Sequence, residues 1–347
     1  MGTIKGVIVV LGLLSMCQSN ADLAKVGAFV VDGWTGEPLK NVLVRGGFDN
    51  HWGWLAVKGA PLPNESFART DVNWFCRLRG RTNIGEAGVS VREAPPGFYR
   101  PRYGEGWSFR RKNLLGIWQP DNLVATIRLQ RVERPIPLFV KRVAKVSRGE
   151  FTADIFPKGE DTLRYDLLMG DWLAPVGTGR VADVTFTRHP REDLGEGVNG
   201  ADVRGPSYRD SMTVRFPGEG NGLVELHPPP SYRLRIRTAP EDGYRSEYLC
   251  WKGRNKKLEH VGSYDENRCF CFRIRTRRDD RGRIVGAYYG KIYGDITFVY
   301  QFRPEFVPVA SVCMSYYLNP TTPLDRNLEW DRKTNLGPDR VDYDLLP

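Results

Sequence analysis

Residues Val26 to Val44 read Val-Gly-Ala-Phe-Val-Val-Asp-Gly-Trp-Thr-Gly-Glu-Pro-Leu-Lys-Asn-Val-Leu-Val. Val26, Phe29, Val30 and Val31 form a short β-rich apolar run, which predicts a strand. Asp32-Gly33 and Thr35-Gly36 suit turn dihedrals, and Pro38 cannot donate to a strand ladder, so it belongs at an edge or outside. Val42, Leu43 and Val44 then resume the strand pattern. The stretch therefore predicts a strand, a tight turn and a second strand.

Further along come Thr70-Asp71-Val72-Asn73-Trp74-Phe75-Cys76-Arg77-Leu78 and Gly88-Val89-Ser90-Val91, closed by Pro95-Pro96-Gly97-Phe98-Tyr99. With the opening turn, these residues resemble the carboxypeptidase regulatory-like (transthyretin-like) β-sandwich domain over roughly residues 24–134. That family carries an Asp-x-x-Thr-Gly-x-Pro-Leu turn, then Thr-Asp-x-x-Gly-x-Phe, then a strand ahead of a Pro-Gly-Phe/Tyr turn. The resemblance implies a β-sandwich and is nearly silent about function, because such folds serve many proteins. Trp74 stands where the family has Gly, and Trp does not readily take a positive φ, so Asn73 is the expected left-handed residue.

The chain ahead of this domain looks like an export signal. Lys5 supplies the positive region, Gly6 to Leu14 an apolar run too short for an ordinary transmembrane helix, and Ser19-Asn20-Ala21 a cleavage site before Asp22. The alternative is lipidation at Cys17, since Leu14-Ser15-Met16-Cys17 loosely matches a bacterial lipobox. The expected location is extracytoplasmic: periplasmic, cell-surface or secreted. Membrane association is expected only through such a lipid anchor.

The whole chain has 347 residues and a formal charge of +10, which becomes +9 once residues 1–21 and their single base, Lys5, are removed. Its basic side chains are interleaved with acids, as in Arg277-Arg278-Asp279-Asp280-Arg281, so nucleic acid is not expected as a partner. With 41% hydrophobic residues, 16 Phe, 9 Trp and 15 Tyr, packed cores are expected throughout. After removal of the signal, Cys76, Cys250, Cys269, Cys271 and Cys313 remain. Buried free thiols are the favoured reading, against one disulfide from Cys250 to Cys269 or Cys271.

Leu123 to Val132 alternates and closes the first domain, and Arg134-Pro135-Ile136-Pro137 reads as a stiff linker. Residues 135–320 then carry strand candidates at Phe151 to Phe156, Val181 to Thr187, Met212 to Phe216, Tyr232 to Thr238, Tyr248 to Trp251, Phe270 to Thr276, Ile284 to Tyr293, Ile296 to Phe302 and Val312 to Leu318. Phe270-Cys271-Phe272-Arg273-Ile274-Arg275 alternates apolar with basic or small residues, as half-buried antiparallel strands do. Residues 321–347 are polar and predict an extended arm packing back through Leu328, Trp330 and Leu336. The fold class is thus all-β: two antiparallel sandwich-like domains, 22–134 and 135–320, joined by a Pro-containing linker, with a C-terminal arm.

Catalytic signatures are absent from the sequence. The four histidines fall at no metal-ligand spacing, there is no nucleophile elbow or phosphate loop, and no cofactor is expected. Two classes of function stay open. One is a non-catalytic exported β protein, a cell-envelope structural component or a binder of glycan or envelope protein. The other is a polysaccharide-directed hydrolase using Asp or Glu, for which Asp166 and Asp171 can be named, although turn and cap roles suit them better.

Two candidate ligand sites come from the pattern. Trp52 and Trp54 flank Gly53 in a loose connection and could form a sugar-stacking platform or cover the open end of the sandwich. In Tyr288 to Ile296, alternation puts Tyr289, Lys291, Tyr293 and Asp295 on one face, with the two rings about 13 Å apart at ~3.3 Å per residue. That face could stack on sugars, or it could be a cross-strand ladder against Arg273 and Arg275.

Overall fold

In the computed structural model, the described residues are 23–49, 65–82, 85–101, 104–114, 116–143, 161–226, 236–265, 268–301, 309–321 and 323–337. The chain divides into two compact units, Met1–Glu133 and Arg134–Pro347. Every regular element among the described residues is a strand, which makes the protein all-β. The export signal with Cys17, the Trp52–Trp54 connection, the segment Phe151 to Phe156 and most of Tyr232 to Thr238 lie outside the described residues.

The first unit contains β1 (Leu23–Asp32), β2 (Leu43–Asp49), β3 (Glu65–Arg69), β4 (Phe75–Arg81), β5 (Glu86–Glu93), β6 (Phe98–Tyr99), β7 (Glu105–Ser108), β8 (Arg111–Lys112), β9 (Trp118–Gln119) and β10 (Leu123–Arg131). They form a sheet of order β4-β1-β10-β6, a second of order β3-β2-β5-β7, and the small pair β8-β9. β1 runs antiparallel to β4 and parallel to β10. Alternate residues of both larger sheets meet in one core: Val26, Ala28 and Val30 of β1, Leu78 of β4 and Ile127 of β10 against Val44 and Phe48 of β2 and Val89 of β5. Each fully buried aliphatic side chain contributes roughly 1.5–3 kcal/mol, so the period-two pattern fixes which face of each strand turns inward. The Asp32 turn is held by its own carboxylate. Oδ1 accepts from the backbone N–H of Trp34 at 2.8 Å and of Thr35 at 3.3 Å, and Oδ2 pairs with Arg131 Nε.

The second unit contains β11 (Ile136–Val143), β12 (Thr162–Asp166), β13 (Asp171–Trp172), β14 (Val184–Arg188), β15 (Glu192–Val198), β16 (Arg204–Arg215), β17 (Gly222–Leu226), β18 (Glu247–Arg254), β19 (His260–Gly262), β20 (Cys269–Arg278), β21 (Ile284–Tyr293), β22 (Thr297–Gln301), β23 (Val309–Asn319) and β24 (Trp330–Asn335). One sheet runs β17-β20-β21-β23-β11-β24 with β22 also on β23; the other runs β13-β12-β14-β16-β18-β19 with β15 also on β16. Phe186, Met212 and Val214 of the second sheet interlock with Phe270, Phe272, Ile292 and Tyr316 of the first in one core. A hairpin turn at Asp279 to Gly282 joins β20 to β21, closed by Asp279 Oδ1 accepting from the N–H groups of Arg281 and Arg283.

Two features differ from the sequence reading. Residues 134–137 pass directly into β11, and Pro137 sits at the irregularity in its pairing with β24, where a missing N–H does no harm. The stretch after residue 321 is not merely an arm: Trp330–Asn335 is a strand parallel to β11, and Leu328 and Trp330 are buried while Leu336 is exposed. All five described cysteines are free thiols, four of them buried.

Candidate functional site

The face expected from Tyr289, Lys291, Tyr293 and Asp295 is covered rather than open. Tyr289 is 4% exposed, Lys291 2% and Asp295 8%. Residues 236–239 lie across it, tied to residues 326–328 by Ala239 N–H to Arg326 O and Leu328 N–H to Arg237 O. Lys291 Nζ donates to Ile236 O at 2.8 Å and Leu328 O at 2.5 Å, and lies 5.1 and 5.3 Å from the rings of Tyr293 and Tyr317. Tyr293 Oη accepts from Ile236 N–H at 2.8 Å. Asp295 Oδ2 accepts from Arg268 Nη1 at 2.6 Å and from Asp265 N–H at 3.0 Å. Tyr293 is half-buried with its hydroxyl engaged by Ile236, and Asp295, past Gly294 at φ 74°, leaves the face and turns to Arg268 and Tyr248. Sugar stacking needs open rings on one face, so these four residues are corrected from ligand contacts to structural ones. Tyr289 does stand opposite Arg273, as the cross-strand ladder requires, with Arg273 lying 4.4 Å from the Tyr244 ring beside it.

Arg275 does not join that ladder. It sits in a bulge at φ 51° and reaches the opposite side of β20. There its Nε donates to Asp183 Oδ1 at 2.8 Å, and Nη2 to Asp166 Oδ1 at 2.7 Å and Asp183 Oδ2 at 2.9 Å. Asp166 also accepts four backbone N–H groups, from Leu168, Met169, Arg180 and Val181. Burial opposes its ionisation, but those N–H groups and Arg275 outweigh it and hold the carboxyl below its usual range. For Asp183 burial wins over Arg275, and its carboxyl is pushed up. Asp171 caps the next turn, accepting from Trp172 N–H and from both the N–H and Oγ1 of Thr178. Asp166 and Asp171 therefore have the turn and cap roles, not those of a hydrolytic pair.

The open face with ligand chemistry is the outer side of the β4-β1-β10 sheet. Asp71 organises its entrance: Oδ1 accepts from the N–H groups of Asn73 and Phe75, and Trp74 N–H bonds back to Asp71 O. Trp74 itself takes the left-handed conformation, at φ 63°, at the place where the resembled family has glycine. The expectation that Asn73 would take it is corrected. Trp74 remains 36% exposed, and its ring meets Phe29 at 5.5 Å between centroids, with Phe75 4.9 Å from Phe29. Gly27 makes this platform possible, since a Cβ there would fall 2.6 Å from the Phe75 ring.

From the platform a basic strip runs along β4. Cys76 and Leu78 point into the core, so Arg77, Arg79 and Arg81 point out, about 7 Å apart. Arg77 lies 5.7 Å from the Phe75 ring. Lys25 stands directly opposite Arg79, and Arg128 continues the face on β10. Lys25 is paired with Asp121 at 3.2 Å, whereas Arg77, Arg79 and Arg128 have no carboxylate partner among the described residues. The other sheet of the unit differs: there Arg45 pairs with Glu65, and Arg69 with Glu93 at 3.4 Å. Like charges facing across strands destabilise a sheet, and a non-glycine residue in the left-handed region costs about 1–2 kcal/mol. Both departures occur on this one face. The alternation of Cys76 and Leu78 with Arg77, Arg79 and Arg81 was the signal in the sequence that could have located it.

Aromatic rings can stack on sugar faces, and guanidinium groups grip carboxylates and sulfates with two parallel hydrogen bonds. Among the described residues no group of three or more His, Cys, Asp or Glu side chains could hold a metal.

No protein-family model matches this chain, and no curated protein matches it. Among solved structures, it is similar to the minor pilin GBS52 of Streptococcus agalactiae at 15% identity and TM-score 0.24, over 33% of this chain and 48% of that one. A streptococcal ancillary pilin matches at 13% identity and TM-score 0.23, over 59% of this chain and 56% of that one. The major pilin SpaD of Corynebacterium diphtheriae matches at 10% identity and TM-score 0.23, over 88% and 83%. The chain thus spans about half the length of the first two. At these TM-scores the similarity carries no argument about fold or function.

Proposed function

We propose that this chain is an exported, non-catalytic β protein that holds an anionic glycan of the cell envelope or its surroundings on the outer face of the β4-β1-β10 sheet. Export rests on the sequence of residues 1–21, with cleavage before Asp22 or lipidation at Cys17 as the two forms of the mature end. The observation that carries the binding role is the set of arginines without acidic partners among the described residues, Arg77, Arg79 and Arg128, beside the Trp74–Phe29–Phe75 platform. The resemblance of residues 24–134 to carboxypeptidase regulatory-like domains belongs to this reading as a fold, and brings no activity with it.

The experiment compares polygalacturonate with its fully methyl-esterified form, the same sugar chain without charge. The mature protein should bind the anionic polymer, with affinity falling steeply as salt rises from 50 to 300 mM, because the contacts are solvent-exposed ion pairs. Equal affinity for both polymers, or no salt dependence, contradicts the proposal.

A further inference from the structure

A second site lies in the other unit, independent of the glycan face. A cavity of about 390 Å³ opens at β18, lined by Lys252, Cys250, Tyr264, Ile296, Thr297 and Phe298 among others. That is at the small end of the ~300–1,000 Å³ of ligand pockets. Its floor is fixed by Cys250 Sγ–H donating to Ile296 O at 3.3 Å.

The cation in it is unusual. Lys252 stands directly opposite Asp210 in the β16–β18 ladder. Asp210 is already held by Arg191 through two parallel hydrogen bonds, at 2.7 and 2.8 Å. The Lys252 ammonium lies instead 5.2 Å from the centre of the Phe298 ring and has no hydrogen-bond acceptor among the described residues. Burial pushes its pKa down, with Asp210 raising it and Arg191 lowering it further. The hydroxyls nearby are engaged: Ser263 bonds to both the N–H and the O of Trp251, and Thr297 Oγ1 reaches Cys313 O at 3.4 Å. A half-buried positive charge with open N–H donors thus stands at the rim of a hollow whose apolar wall is Ile296, Phe298 and Trp251 and whose Ser263 and Thr297 hydroxyls are engaged elsewhere. A charge in such a place favours an ionised partner far more than the same charge in open water.

We infer that this cavity binds a small organic carboxylate, with the carboxylate on Lys252 Nζ and an apolar, single-ring body against Phe298 and Ile296. A free acid and the terminal carboxylate of a peptide share this chemistry, and the test separates them.

The full chain is titrated calorimetrically with phenylacetate, with its uncharged analogue phenylacetamide, and with the tripeptide Gly-Gly-Phe. Saturable binding of phenylacetate, at least about tenfold tighter than phenylacetamide, is the expected result. Binding of Gly-Gly-Phe at least as tight as phenylacetate assigns the site to a peptide end, and weaker binding to a free acid. Lys252→Met, which keeps the apolar stem, should lose phenylacetate binding by about tenfold or more, whereas Arg77→Gln with Arg79→Gln should leave it unchanged. Should Lys252→Met fail to fold, the wild-type protein with ¹³C-dimethylated lysines replaces it, and the Lys252 signal should shift on addition of phenylacetate. The inference is overturned if neither carboxylate binds saturably, if phenylacetamide binds equally well, or if the Lys252 substitution or signal is indifferent to the ligand.

Discussion

Replacing Arg275 by Met removes one guanidinium and leaves two carboxylates facing each other. The losses are unequal. Among the described residues, Asp166 keeps four backbone N–H donors, whereas Asp183 keeps only the N–H of Leu167, at 3.0 Å. The cost therefore concentrates on Asp183, an ionised group left buried with one donor. Breaking a buried pair in this way costs about 3–5 kcal/mol, and the partial exposure of Arg275 places the expectation near the lower end, about 3 kcal/mol. The pH dependence has a definite sign. Asp166 has a depressed pKa, so the stability it contributes is present above the unfolded-state value and lost as pH falls through its folded one. Asp183 has a raised pKa, so it works the other way: ionising it weakens the fold as pH rises through its folded pKa. Without Arg275 both carboxyls titrate higher and can become neutral in mild acid. The destabilisation of Arg275→Met relative to wild type should accordingly be greatest near pH 7 and shrink towards pH 4–5. Urea unfolding at a series of pH values measures this. Destabilisation below about 1 kcal/mol at pH 7, or of equal size from pH 4 to pH 8, would refute the reasoning.

Two further outcomes are expected. Lys291→Met should destabilise the second unit by about 2–4 kcal/mol, since it leaves the buried carbonyl of Leu328 and the half-buried one of Ile236 without this donor; a change under 1 kcal/mol in thermal or urea unfolding would mean that the face is not a structural hub. Gly27→Ala places a methyl on the ground now covered by the Phe75 ring, whose tip can swing away, so stability should fall by no more than about 1 kcal/mol while glycan affinity drops several-fold. Unchanged affinity would remove Phe75 from the proposed site.

The strands were legible because alternation is a local property. Ile284–Tyr293 and Leu123–Arg131 occupy the segments that their patterns marked. What alternation cannot say is which of two faces meets water. Tyr289, Lys291 and Tyr293 lie on a face of β21 that chain far away in sequence, residues 236–239 and 326–330, covers. A lysine between two tyrosines suggests an exposed face until backbone carbonyls supply its acceptors from elsewhere. Arg275 escaped for a different reason: a bulge adds a residue and reverses the parity of the strand beyond it. Trp74 defied its own propensity, since its left-handed backbone is imposed by the Asp71 turn and the Phe29 contact. Of the site itself, the basic strip was readable in the alternation of Cys76 to Arg81. The lack of acidic partners for Arg77, Arg79 and Arg128 among the described residues was not, because that depends on what β1 and β10 place beside them.

The central claim is that the outer face of β4-β1-β10, and not overall positive charge, binds an anionic glycan. Two double variants of equal charge separate these: Arg77→Gln with Arg79→Gln on the proposed face, and Arg45→Gln with Arg69→Gln on the other sheet, where each arginine has a glutamate partner. Isotherms of the two variants with polygalacturonate at one salt concentration decide between them. The first variant should lose about tenfold or more in affinity, as two exposed charge-assisted contacts imply, and the second should change by less than about twofold. Equal losses in both would contradict the account.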